Sequence, residues 1–120
     1  MSSLIKSRHV LAVPDLKKST NFYQSKLGMK MDWGDKNWSF LYLDNFYVML
    51  GECKDAIHPV ELGDHQYFAY VEMNKIDAFY DELVSLDVNI TSKISDKPWG
   101  QREFGIKTID GHRIMFGQTI

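Results

Sequence analysis

The chain contains 120 residues, of which 44% are hydrophobic, 25% charged and 13% aromatic. This length corresponds to one domain, since domains usually contain about 100–150 residues. Fourteen basic and sixteen acidic side chains give a formal net charge of −2 at pH 7, which argues against nucleic acid as a partner, because neutralising phosphates requires clustered Lys and Arg.

Cysteine content and hydrophobicity indicate the compartment. The single cysteine, Cys53, can form neither an internal disulfide nor, by itself, a thiolate metal site. The first residues lack the apolar run of a signal peptide, and no window approaches the roughly 20 apolar residues needed to span a bilayer. We therefore expect a cytoplasmic protein without a membrane partner.

The first half of the chain predicts a strand, a helix, a second strand and a hairpin. Pro14 ends the first strand because proline supplies no hydrogen-bond donor to a sheet. Asp15 is placed to cap a helix that ends before Gly28, and Asp44-Asn45 suits a two-residue hairpin turn. The predicted strands are residues 8–13, 30–33, 38–43 and 46–51.

The same order of elements returns after a connector at residues 53–66. Asn74 is placed to cap the second helix, with Asp77 near the position that a capping box requires. Asp110-Gly111 forms the turn of the second hairpin. The predicted strands are residues 68–73, 88–94, 104–108 and 113–116, and the helical face contains Ile76, Phe79, Tyr80 and Leu83.

These two halves indicate an internal duplication. The Phe-Tyr pairs that begin at Phe22 and Phe79 lie 57 positions apart, and the turns at Asp44 and Asp110 lie 66 apart. We predict an α+β fold in a single domain, residues 1–120, made of two β-α-β-β-β modules at about 4–56 and 67–120. One helix covers only one face of each sheet, so the opposite face needs a second sheet or a ligand.

Several motifs in both halves are typical of a known family. They are His9–Leu16, Asn21–Tyr23, Leu27–Met29, Asn74–Tyr80, Pro98–Phe104 and Asp110–His112. On these residues the chain resembles the vicinal oxygen chelate superfamily, also called the glyoxalase/bleomycin-resistance/dioxygenase family, and within it the small bleomycin-resistance-like branch. The resemblance implies a cup-shaped mixed sheet formed by the two modules and completed in a homodimer.

The resemblance also implies four metal-ligand positions, on the first and last strand of each module. Aligned on Tyr23, the first position falls on Arg8 and not on His9, whose side chain points to the opposite face of the strand. The remaining positions fall on Met49, Phe68 and Met115. Since none of these residues is a hard-metal ligand, we predict no metal, no cofactor and no catalytic residue; a surface site at His58 and His65 is the less favoured alternative.

Strand alternation predicts which side chains line the cup. Pairing residue 43 with 46 places Leu41, Val48 and Leu50 under the helix. Trp33 is assigned to the end of the first helix or to a dimer contact, and Glu103 to a solvated rim. Phe104 and Ile106 are assigned to the cup. The predicted ligand-binding residues are Arg8, Trp38, Phe40, Tyr42, Tyr47, Met49, Phe68, Tyr70, Trp99, Phe104, Arg113 and Met115.

We therefore predict a metal-free, small-molecule-binding protein of the kind that confers antibiotic resistance. An aromatic cup suits an aromatic or partly apolar ligand. Bleomycin is cationic, whereas Arg8 and Arg113 make this cup locally basic, which favours a neutral or anionic ligand. The alternatives are a glyoxalase-type lyase or ring-cleaving dioxygenase with a metal site not visible in the sequence, and a dimer module without a ligand.

Overall fold

The computed structural model of the protein describes residue 2 and residues 5–62 and 66–120. The chain divides into two compact units, Met1–Ala56 and Ile57–Ile120. Each unit contains one α-helix and a four-stranded sheet, with the elements in the order β-α-β-β-β. The predicted α+β class and the duplicated module are confirmed. Within the described residues, no helix has the length and apolar character needed to cross a membrane.

The first unit contains β1 (His9–Val13), α1 (Leu16–Ser25), β2 (Lys30–Gly34), β3 (Trp38–Leu43) and β4 (Phe46–Glu52). Its strands lie in the order β1-β4-β3-β2. Strand β1 runs parallel to β4, and the other neighbours are antiparallel. As predicted, Asp15 caps the first helix, accepting a hydrogen bond from the backbone N–H of Lys18 at 3.1 Å.

The second unit repeats this arrangement, with its first strand beside its fourth, then its third and its second. The predicted connector contains one short 3-10 helix, Pro59–Leu62, and residues 63–65 lie outside the described part of the chain. The elements are β5 (Tyr67–Glu72), α2 (Ile76–Ser85), β6 (Asn89–Asp96), β7 (Gln101–Lys107) and β8 (Arg113–Thr119).

The start of α2 differs from the prediction of a cap at Asn74. The N-cap is Lys75, in the left-handed region at φ 56°, and its side chain makes no capping hydrogen bond. Gln118 on β8 supplies the cap, because its Oε1 accepts from the backbone N–H of Ile76 at 2.8 Å. Asp77 does not complete a capping box but pairs with Arg102 at 2.9 Å.

Strand pairing in the first unit separates a helix-covered face from an open face. Leu43 pairs with Phe46 and Phe40 pairs with Met49, the register expected from a two-residue turn at Asp44-Asn45. Leu41, Val48 and Leu50 are fully buried, as predicted for the helix side, because α1 packs over β3 and β4. The alternate residues form the face that α1 does not cover.

The face assignment of β7 was wrong by one residue. Phe104 and Ile106 pair with Phe116 and Ile114, so they share the helix-covered face and are fully buried. The ring of Phe104 lies 5.0 Å from that of Tyr80 on α2. Five residues, 108–112, separate the paired ends of β7 and β8. A connection with an odd number of residues shifts the pairing by one residue relative to a two-residue turn, so the side chains of β7 change face. Phe104 is therefore a core residue and not part of the open face.

We expect Phe104→Ala to lower the free energy of unfolding by about 3–5 kcal/mol, since it removes a fully buried ring and leaves a cavity. The same change at half-buried Phe40, on the open face of the first sheet, is the matched control and should cost clearly less. Urea unfolding of both variants measures the difference. Equal losses, or a larger loss at Phe40, would contradict the corrected assignment.

Candidate functional site

The open face of the first sheet carries a group of aromatic side chains. The rings of Tyr42 and Tyr47 stack with centroids 6.1 Å apart, and those of Trp33 and Phe40 meet edge to face at 5.2 Å. Trp38, near the end of this group, is 36% exposed. We call these five residues the aromatic face. Large rings left partly in water are costly, and a flat apolar molecule could cover them.

Arg8 packs its guanidinium against the aromatic face. Its Cζ lies 4.8 Å from the ring centroid of Phe40 and 5.4 Å from that of Tyr47, within the range of cation–π contacts. Nη2 donates to Asp32 at 3.0 Å. Nη1 is buried and makes no hydrogen bond within the described residues. The face therefore combines apolar surface with a positive charge that could meet a polar group of a ligand.

His9 points away from this face, as the one-residue step along a strand predicts. Its ring contacts Phe46 at 5.5 Å, and Nδ1 lies 3.3 Å from the carbonyl oxygen of Tyr47. Phe46 alternates with Tyr47 and so belongs to the opposite side of the sheet. The imidazole is therefore separated by the sheet from the position that Arg8 occupies.

Sequence reasoning missed two members of this site. Trp33 contacts Phe40, not the end of α1, because a register shift between Met31 and Trp33 sets Trp33 opposite Phe40. A bulge of this kind leaves no clear signal in the sequence. Lys6 was also missed, and its Nζ lies 4.7 Å from the centroid of the Tyr47 ring.

The open face of the second sheet holds a different, acidic group. Glu103 is only 6% exposed, and its Oε2 accepts hydrogen bonds from the Tyr70 hydroxyl at 2.8 Å and from Trp99 Nε1 at 3.0 Å. Glu103 is thus a buried acceptor and not a solvated rim group. A Cβ at residue 117 would overlap the Tyr70 hydroxyl, so Gly117 provides the space for it.

This environment keeps the Tyr70 hydroxyl protonated. Burial raises the pKa of Tyr70 to about 12, and the hydrogen bond and negative charge of Glu103 act in the same direction. The Tyr70 hydroxyl therefore remains a hydrogen-bond donor to Glu103 at a more alkaline pH than an ordinary tyrosine would. Trp99, which is 65% exposed, is held through its indole N–H while its ring remains accessible.

The remaining predicted ligand-binding residues of the second unit are Met115, Arg113 and Phe68. Met115 is half-buried and pairs with Gly105, where an added Cβ would lie 2.7 Å from the Met115 Sδ. Arg113 is buried and pairs with Tyr67. Phe68 meets the ring of His112 edge to face at 6.0 Å. Their role toward a ligand remains a prediction.

The residues at the four implied metal positions do not fit a hard divalent ion. Arg8 brings a positive charge, and Met49, Phe68 and Met115 offer no carboxylate or imidazole. Elsewhere in the described ranges, no three His, Cys, Asp or Glu side chains are grouped so that they could hold a metal. His58 packs against Gly111, while His65 lies outside the described residues.

We expect Glu103→Gln to lower the pKa of Tyr70 from about 12 toward its ordinary value of 10.0, since the negative charge that opposes ionisation is removed. Glu72→Gln is the matched control and should produce a smaller decrease, because Glu72 acts on Tyr70 only through a weaker charge effect. An NMR titration of the Tyr70 ring carbons measures both. An unchanged pKa in Glu103→Gln would contradict this account.

Comparison with known proteins identifies the family. The model of the Glyoxalase/Bleomycin resistance protein/Dioxygenase superfamily matches residues 6–116. A bleomycin resistance protein of Geobacillus stearothermophilus is 26% identical, and the match covers 98% of each chain.

Solved structures show the same fold. TioX from Micromonospora sp. ML1 aligns with a TM-score of 0.78 at 18% identity, over 97% of this chain and 99% of TioX. The bleomycin-binding protein of Streptomyces verticillus, complexed with copper(II)-bleomycin, aligns with a TM-score of 0.73 at 20% identity, over 97% of each chain. The chain therefore belongs to the glyoxalase/bleomycin resistance protein/dioxygenase superfamily.

Proposed function

We propose that this protein binds and sequesters a small aromatic or partly apolar molecule, without a metal ion and without catalysis. The observation that carries the proposal is the aromatic face with the Arg8 guanidinium packed against Phe40 and Tyr47. Each offset or edge-to-face contact between a ligand ring and a protein ring adds about 0.5–1.5 kcal/mol to the binding free energy, beyond the contribution of the apolar surface that is buried. Several rings on one face could therefore hold a planar ligand with useful affinity.

Relatives support a sequestering role. The 26% identical protein of Geobacillus stearothermophilus is a bleomycin resistance protein, and the Streptomyces verticillus structure contains copper(II)-bleomycin. In this chain Arg8 is paired with Asp32 at 3.0 Å, but it is the guanidinium that lies against the rings, and this favours a neutral or anionic ligand over a cation. Cys53 is an exposed free thiol, which suits the reducing cytoplasm that we propose as the location.

The chemistry of the four implied metal positions favours binding over metal-dependent catalysis. Glyoxalase-type isomerisation and ring-cleaving oxygenation need an ion as Lewis acid or template, and Arg8 would repel a cation at the first of these positions. Metal analysis of the purified protein separates the two functions. Stoichiometric zinc, nickel or iron together with turnover of a glutathione adduct or a catechol would favour the enzyme.

We expect Trp38→Ala to weaken binding of a planar aromatic ligand by about 2–4 kcal/mol, the loss that truncating an aromatic side chain causes at a binding hot spot. A thermal-shift screen of planar aromatic compounds supplies the ligand, and calorimetry measures the affinity. Trp99→Ala, on the second unit, is the matched control and should have a smaller effect.

Two outcomes would contradict the proposal. One is that no compound in the screen raises the melting temperature of the protein, since a ligand at about 100 times its Kd adds roughly 2.7 kcal/mol of stability. The other is that Trp38→Ala binds the selected compound as tightly as the unchanged protein does.

We further propose that the protein is a homodimer. Strand β2 lies at an edge of the first sheet, and all five of its residues are exposed, including Met31 and Trp33. Large apolar side chains exposed on the edge strand of a sheet are usually covered by another element or chain. Since the chain has a mass of 14.0 kDa, sedimentation should give about twice that value at micromolar concentration; a monomer would contradict the proposal.

A further inference from the structure

A cavity lies in the first unit, on the side of the sheet opposite the aromatic face. It has a volume of about 500 Å³ and is bordered by α1, the β2–β3 turn and the end of β4. Ligand-binding cavities usually measure about 300–1,000 Å³. Its lining mixes apolar surface with hydroxyl, amide and charged groups and contains no aromatic ring, which distinguishes it from the aromatic face and from the ligand proposed there.

The duplicated second unit shows why the first unit contains this cavity. Ser39 pairs with Leu50, as Phe104 pairs with Phe116, and both positions lie on the helix-covered face. The fifth residue of α1 is Thr20, whereas the fifth residue of α2 is Tyr80, so the two helices correspond 60 residues apart and the Phe-Tyr pairs at residues 22 and 79 do not occupy corresponding positions.

The two units fill the corresponding volume differently. In the second unit, Phe104 and Tyr80 lie 5.0 Å apart and fill the layer between helix and sheet. In the first unit, Ser39 and Thr20 are too small to do so, and the cavity lies at their side chains.

The inner wall of the cavity is a pair of hydroxyl groups. Thr20 Oγ1 and Ser39 Oγ are 2.7 Å apart and share one hydrogen bond, and both residues are buried. A hydroxyl group can donate one hydrogen bond and accept two. The pair therefore retains one donor and further acceptor capacity for a polar molecule in the cavity.

The rim carries charges of both signs. Neither Lys17 nor Lys36 forms an ion pair with any residue that the structure describes. The two carboxylates are held in place by backbone N–H groups: Asp35 Oδ1 accepts from Asn37 and Trp38 at 2.8 Å, and Glu52 Oε2 accepts from Leu16 at 3.0 Å. Each carboxylate keeps a second oxygen that could receive an ammonium group.

We infer that this cavity is a second binding site, for a small zwitterion of the free amino-acid class. The ammonium group of the ligand would meet Asp35 or Glu52, its carboxylate would meet Lys17 or Lys36, and its polar body would face the two hydroxyls. A ligand with a single charge would leave either the lysines or the carboxylates of the rim without a partner. An apolar ligand would displace water from both kinds of charged group without replacing the hydrogen bonds that the water makes.

The test is an NMR titration of the full chain with L-glutamine, whose amide group can hydrogen-bond to the hydroxyl pair. We expect the backbone amide signals of Thr20, Asn21 and Ser39 to shift below about 10 mM, a concentration that fills most of a site with millimolar Kd. N-acetyl-L-glutamine, an anion, and L-glutamine methyl ester, a cation, should each bind at least about tenfold more weakly. Absence of shifts at these residues, or equal binding of either derivative, would overturn the inference.

Two variants test the location of the site. Ser39→Phe introduces the ring that Phe104 supplies in the second unit and should abolish the shifts caused by L-glutamine. Since that variant could fail to fold, Lys17→Gln/Lys36→Gln provides a surface alternative and should weaken binding at least about tenfold. The matched control is Lys18→Gln/Lys30→Gln, which removes two exposed lysines that do not border the cavity. Equal effects of the two double variants would overturn the assignment.

Discussion

Each four-stranded sheet of this protein is covered on one face by a ten-residue helix. The packing of that helix determines which side chains of the sheet are buried and which lie on the other face. Leu41, Val48 and Leu50 are buried under α1, and Ile106 and Ile114 occupy the corresponding positions in the second unit. Because strand side chains alternate, this packing sends every second residue to the uncovered face. The candidate ligand-contacting groups follow from that division.

The two uncovered faces have opposite chemistry although their strands are duplicated. In the first unit a guanidinium, that of Arg8, lies against Phe40 and Tyr47. In the second unit a carboxylate, that of Glu103, accepts hydrogen bonds from Tyr70 and Trp99. Aromatic groups thus stabilise a cation through ring faces in one case and an anion through polar hydrogens in the other. Duplication preserved the scaffold while the side chains on it diverged.

The helix-covered faces have diverged as well. At the start of each helix, a side chain from the last strand of the same unit accepts a hydrogen bond from the first backbone N–H. This side chain is Glu52 for α1 and Gln118 for α2. Beyond that shared cap, Phe104 packs among the aromatic rings under α2, whereas Ser39 hydrogen-bonds to Thr20 beneath α1. An aromatic pair fills the layer tightly, while a hydroxyl pair satisfies its hydrogen bonds but leaves volume unfilled. The same backbone arrangement therefore supports a filled core in one unit and a cavity in the other.

Local sequence information determined the duplicated β-α-β-β-β order, the cap of α1 at Asp15 and the faces of β3 and β4. The two-residue turn at Asp44-Asn45 permits one register, and alternation then places each side chain. The tertiary structure alone decided the face of Phe104, the contact of Trp33 with Phe40 and the burial of Glu103. The face of Phe104 depends on the five-residue connection between β7 and β8, and the Trp33 contact depends on the register shift in β2. The burial of Glu103 depends on partners from other parts of the chain. Such contacts are selected by packing and hydrogen bonding across strands, for which periodicity within one strand contains no signal.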